Sequence, residues 1–123
     1  MATIYTQVGE ETVVDLTDGT SSTVLNATNA KIAWGTGVGT AAKGDTALFT
    51  EASETRVAAT VNQPIADKNQ WVGTLTADAG KTITNAGLFD AATGGHLVIH
   101  GDFTGIALAT GDKIEFTISL EQS

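Results

Sequence analysis

His96 and His100 lie four residues apart and Asp102 two further on, a spacing that in an extended strand brings all three side chains to one face. Metal chemistry is the first question such a trio raises. At a rise of roughly 3.3 Å per residue the two imidazoles stand about 13 Å apart, too far to share one ion, so a metal site would have to be built between subunits. The expectation is two solvent-facing polar histidines and no metal held by this chain alone.

Gly35-Thr36-Gly37-Val38-Gly39 invites comparison with a phosphate loop, yet it lacks the third glycine position of the dinucleotide fingerprint, and no helix start follows to receive a pyrophosphate. A wide turn is expected there. Asp15 with Asp18-Gly19 is a fragment of a calcium loop without its other spaced oxygens or its closing glutamate. None of Ser21, Ser22, Ser53, Ser119 and Ser123 sits in a nucleophile elbow or beside a histidine. Glu10-Glu11, or Glu51 with Glu54, offers the two carboxylates of a glycosidase. A sugar cleft also needs aromatic platforms, and the chain has only two Trp, one Tyr and four Phe. Trp34 and Trp71 both fall within strand patterns, Trp71 in line with Gly73 and Leu75, so core packing is their expected role. No catalytic residue, cofactor or metal ligand is assigned, and an enzyme is not expected.

Positioning these residues falls to short runs of Thr, Val and Ile divided by Gly, Asp, Asn and Ser clusters, the pattern of antiparallel sandwiches and barrels. The clearest strand spans 112–120, where Ile114, Phe116, Ile118 and Leu120 alternate with Lys113, Glu115, Thr117 and Ser119. That is a half-buried strand with one wet face. Residues 82–90 and 95–103 read as a hairpin around 91–95, with Gly94 and Gly95 supplying the positive φ its closure requires. A second pair, 55–63 and 70–76, is joined by residues 64–69, since Pro64 removes a ladder donor. A shorter strand, 31–35, carries Trp34. Upstream, 4–8, 11–16 and 23–27 read as strands divided by Gly9 and by the polar run 18–22. Residues 41–54 form an excursion that is either a long connection or a short helical turn through Thr46-Ala47-Leu48-Phe49 capped by Asp45. The expected fold is all-β, an antiparallel β-sandwich or jelly-roll-like barrel of about eight strands with one long loop or short helical excursion. Residues 31–123 form its body. Residues 1–30, poor in large apolar groups, form an N-terminal strand or arm, read either as an ordinary edge hairpin or as a strand exchanged with a neighbour.

A chain of 123 residues suits one domain able to close its own core without metals or disulfides. That core is expected to be thin, because aromatic residues make up only 6% of the chain and much of its 41% hydrophobic content is alanine. Partner chains would then supply part of the stability. Six basic against fourteen acidic residues leave a formal charge of -8, which repels phosphate backbones and anionic membranes and argues against direct nucleic-acid or membrane binding. Without cysteine, neither disulfides nor thiolate metal sites form. The first residues lack a signal-peptide pattern and no stretch approaches membrane-spanning length, so a cytoplasmic origin is expected.

Three stretches carry a likeness to known proteins. They are Ile32-Ala33-Trp34-Gly35-Thr36-Gly37 followed by Asp45-Thr46-Ala47-Leu48; Ile83-Thr84-Asn85-Ala86-Gly87-Leu88-Phe89-Asp90-Ala91-Ala92-Thr93-Gly94-Gly95; and Thr110-Gly111-Asp112-Lys113-Ile114-Glu115-Phe116-Thr117-Ile118. Together they resemble small virion proteins of tailed bacteriophages, variously head-decoration, cement or tail-fibre proteins. The likeness spans roughly residues 31–120 and rests on turn and strand signatures. In these, Gly87 marks a bulge or a close backbone approach, Leu88 and Phe89 offer apolar groups to both faces, and Gly111-Asp112 forms a turn.

The resemblance implies a capsid decoration or cement protein that binds the outside of the capsid lattice, docks on the major capsid protein as a homotrimer or dimer, and stabilises the shell. It would be made in the bacterial host cytoplasm and reside on the virion surface. The alternative is a tail-fibre or baseplate module that binds a receptor or carbohydrate through glycine-rich loops. Ile4, Tyr5, Val8 and Val13 are candidate interface residues, joined by Trp34, Phe49 and Trp71 if these prove exposed. Removal of the first twenty or so residues is expected to leave a folded domain that no longer docks or oligomerises.

Overall fold

The computed structural model describes residues 2–19 and 24–121. Among these residues its period-two runs become eight strands in two antiparallel sheets, with one helix following the first strand in the chain. The first sheet has the order β1-β7-β6-β2-β3, built from β1 (Ala2–Tyr5), β2 (Lys31–Gly35), β3 (Val57–Ala58), β6 (Lys81–Phe89) and β7 (Leu97–Leu108). The second has the order β4-β5-β8, built from β4 (Thr60–Ile65), β5 (Lys68–Thr76) and β8 (Lys113–Glu121). The expected all-β sandwich is the fold, with sheets of five and three strands.

Alternation sets the register. In the β5–β8 pair, Trp71 faces Ile118, Gly73 faces Phe116 and Leu75 faces Ile114, so both strands turn their apolar residues inward together. They meet Ile32, Trp34, Ile83 and Leu88 of the larger sheet. Trp34 packs edge-on to Phe116, with ring centroids 6.3 Å apart. Gly73 has no side chain because Ile32 and Val57 occupy the space; a Cβ there would lie 3.1 Å from each. A second apolar cluster, Ala33, Leu48, Phe89 and Leu97, forms on the far side of the larger sheet. With cover on both faces, β6 loses its alternation and is buried continuously from Asn85 to Phe89. Leu88 and Phe89 thus serve the two faces as expected.

The turns follow the glycines. Gly94, Gly95 and Gly111 have φ of 59°, 72° and 91°, values that L side chains rarely adopt. Asp112 accepts a hydrogen bond from the Ala109 N–H at 2.8 Å and closes the β7–β8 turn. At Gly87 a Cβ would stand 2.5 Å from Leu97 Cδ1, so the close approach expected there is real.

The N-terminal region departs from the expected strands. The strand placed at 4–8 stops at Tyr5, and residues 11–16 lie in α1 (Gln7–Asp18). Thr6 starts this helix. Its hydroxyl accepts from the Gly9 N–H at 3.0 Å and donates to Leu97 O at 2.5 Å, while its own N–H donates to Val98 O. Gly19, with φ 81°, ends it. Gly9 divides no strands; it is where the helix meets β7, and a Cβ there would lie 2.3 Å from Val98 O. Residues 24–27 form no strand, and Asn26 Oδ1 instead accepts from the N–H groups of Thr28 and Asn29. Thr23 and most of the 18–22 run lie outside the described residues.

One other expectation is corrected. Pro64 sits inside β4, not in a connecting loop, because β4 is an edge strand whose outward N–H needs no partner. Of the two readings of 41–54 the long connection holds: the segment contains no helix, and Asp45 accepts from the Ala42 N–H at 2.8 Å, closing the turn before it rather than capping a helix after it.

Candidate functional site

Two features stand out on the scaffold: a loop pinned to one face, and a strip of core left uncovered at one edge. The loop comprises residues 36–50. The backbone N–H groups of Thr36 and Gly37 donate to Thr50 O and Phe49 O, the Thr84 hydroxyl donates to Gly37 O, and Asp102 Oδ1 accepts from the Ala41 N–H at 2.8 Å. Asn85 grips Phe49 from both sides, accepting from its N–H at 3.0 Å and donating to its carbonyl at 3.1 Å. This reciprocal pair fixes which amide atom is oxygen.

His100 sits beneath the loop, fully buried on β7. Its Nδ1 is 2.8 Å from Asp45 Oδ2 and its Nε2 is 2.9 Å from Asn85 Oδ1. Both ring nitrogens therefore face side-chain oxygens. Phe49 packs against it with the two rings tilted by 59° and centroids 4.7 Å apart. The expectation of a solvent-facing histidine is wrong for His100, because the loop covers the face that strand periodicity left open. His96 does lie exposed, before β7 rather than within it, where its N–H and Nδ1 meet Asp90 at 2.7 Å each. His100 and Asp102 share the loop-covered face, and His96 does not join them. Among the described residues no group of three or more His, Asp or Glu is placed to hold a metal ion. At the loop's tip Val38 is 96% exposed.

Glu54 organises the opposite end. Burial works to raise its carboxyl, but hydrogen bonds from Lys81, from the Asp78 N–H and from Trp34 Nε1 outweigh it and hold the group down at about 2. Lys81 is raised in turn, first by its hydrogen bond to Glu54 and against the effect of its own burial. Nearby Arg56 forks onto Glu51 at 2.8 and 2.9 Å, stacks 3.6 Å above the Phe89 ring, and donates to the carbonyls of Ala91 and Gly94. Glu51 and Glu54, the carboxylates a glycosidase would need, are thus committed to separate ion pairs.

The uncovered strip runs along β8. Five strands face three, so the inner surface of β7 and β1 extends past the smaller sheet. A groove of about 400 Å³ opens there, lined by Thr3, Ile99 and Phe103 on one side and by Phe116 and Ile118 on the other. Phe103, Phe116 and Ile118 are only half-buried, although they pack on the core.

The candidate interface residues divide. Trp34 and Trp71 are 1% and 2% exposed, and their ring N–H groups are bonded to Glu54 and to the carbonyl of Leu25. They are core residues of this chain, so the exposure required of them is not met. Phe49 is half-buried over His100. Ile4, Tyr5, Val8 and Val13 are half-buried on β1 and α1, next to β7. Tyr5 is raised by burial and by neighbouring Glu10. Sequence reasoning placed His100 at the surface and gave Asn85 no part in a site; the signal was the unbroken apolar run Leu97-Val98-Ile99 before His100, which marks a strand covered on both faces. No family model, curated protein or solved structure matches this chain.

Proposed function

We propose that this chain is a structural protein of a bacteriophage head, a decoration or cement protein that binds the outside of the capsid lattice and stabilises it. The observation that carries the reading is the uncovered strip: aromatic and aliphatic core residues stand half-exposed along one regular edge, where a neighbouring chain would complete the sandwich. A protein that buries surface only in the assembled shell stabilises that shell by linkage, since binding favours the state in which its site exists. The partners in this reading are the major capsid protein and further copies of the chain itself. The acidic surface, formal charge -8, complements a basic docking surface.

A second reading, a tail-fibre or baseplate module that binds a receptor or carbohydrate, draws on the pinned glycine-rich loop. A loop fixed by buried hydrogen bonds with Val38 fully presented loses little freedom on binding. Electron microscopy of virions separates the two. Copies spread over the head lattice, with shells that withstand heating less well when the protein is missing, support the decoration reading; copies confined to the tail tip overturn it.

A further inference from the structure

The sheet edges differ in how open they are to another strand. β1 is four residues long and β3 two, while β4 carries Pro64 and a register shift between Asn62 and Ile65. Such devices blunt an edge. β8 has none of them. Its nine residues pair with β5 without interruption, from Lys113 opposite Thr76 to Glu121 opposite Lys68, and its other side is a regular, unpaired edge beside the groove.

We infer that β8 pairs antiparallel with β8 of a second copy of this chain, about a two-fold axis at Thr117, joining two three-stranded sheets into one. The inference rests on the reading above that the uncovered strip is an interface, and it names the occupant. Charge selects both the partner and the register. With Thr117 opposite itself, Lys113 meets Glu121 of the second copy at both ends and Glu115 meets Ser119, all on the outer face. On the inner face Ile114 meets Leu120 and Phe116 meets Ile118, so the apolar rows of the two copies run side by side. Opposite charges directly across a strand pair stabilise it and like charges oppose it. Centring on Ile118 sets Glu115 against Glu121, and centring on Glu115 sets that carboxylate against itself. A one-residue slip in the pairing turns the second copy's apolar set outward.

Sedimentation equilibrium of the full chain at about 0.15 M salt, where repulsion between two acidic copies is screened, tests the pairing. A reversible dimer is expected. Glu121 also faces Lys68 of β5 within the same chain, so the swaps are made on a Lys68→Thr background: there Lys113→Glu and Glu121→Lys should each weaken the dimer about tenfold, since each swap affects two symmetry-related contacts, and the double swap should restore it. The chain has no cysteine, so Thr117→Cys adds a single thiol, and mild oxidation should link two copies through it. Thr74→Cys, on the interior strand β5, should not link them. A monomer at all concentrations, a trimer, a double swap that fails to rescue, or equal cross-linking at positions 117 and 74 would each overturn the inference. A dimer absent from virions overturns the head assignment instead, and lattice-bound protein that is monomeric in solution overturns the pairing.

Discussion

At the scale of single residues, every buried polar side-chain atom among the described residues has a hydrogen-bond partner. Glu54 gives the clearest pH signature. Its folded carboxyl is held at about 2 against a usual 4.5, so the folded state prefers the ionised form. The stability this contributes is complete above about pH 4.5 and is lost as pH falls toward 2. Lys81, raised above its usual 10.5, contributes in the opposite sense, with full effect below that pH and loss above it. Glu54→Gln should therefore lower the urea midpoint at pH 7 while flattening its decline between pH 4.5 and 3. A decline as steep as in the native chain would assign acid sensitivity to another carboxylate. His100→Leu removes the shared partner of Asp45 and Asn85, and should cost about 2–4 kcal/mol in urea unfolding. It should also speed hydrogen exchange at Phe49, whose N–H depends on Asn85.

At the scale of elements, the helix shows why part of this fold was hidden in the sequence. β8 was plain to see because strict alternation states both its conformation and its buried face. In α1 the β-branched Thr12, Val13, Val14 and Thr17 lean toward strand, and only the frame of Thr6 before and Gly19 after marks a helix. The Thr12 and Thr17 hydroxyls turn back to the carbonyls of Val8 and Val13 at 2.9 and 3.0 Å, removing their competition with the helix. Gly9, read as a breaker, is required by tertiary contact. Gly9→Ala should raise helix propensity yet destabilise the protein by about 1–3 kcal/mol, because the added methyl meets Val98 backbone that cannot easily retreat. A net gain in thermal stability would mean the helix shifts freely on β7. The loop 36–50 was hidden for a related reason: its cover over His100 is made by contacts far apart in sequence, such as Asp45 with His100 and Phe49 with Asn85.

For the whole molecule, the core lies between sheets of five and three strands, with Ile32, Trp34, Trp71, Leu75, Ile83 and Leu88 buried and Phe103, Phe116 and Ile118 half-buried at one edge. The two-sheet sandwich was readable from strand count and turn spacing, whereas the unequal sheet widths were not, because pairing partners are set by long-range register. The N-terminal unit now has defined ties: Thr6 to Leu97 and Val98, and Gln7 N–H to Lys43 O. Deleting residues 1–20 tests what it does. A folded remnant that no longer joins particles marks the unit as a docking arm; a remnant that fails to give a cooperative unfolding transition marks it as part of the core.

Pro64 and the register shift in β4 have a consequence for growth. If two copies join along β8, both ends of the merged sheet are β4 strands, and each end presents a missing donor and a dislocated ladder. Assembly through this sheet then closes at two and cannot propagate as a ribbon or fibre. On the decoration reading proposed above, a stock of the protein at high concentration would in this way remain discrete pairs instead of fibres.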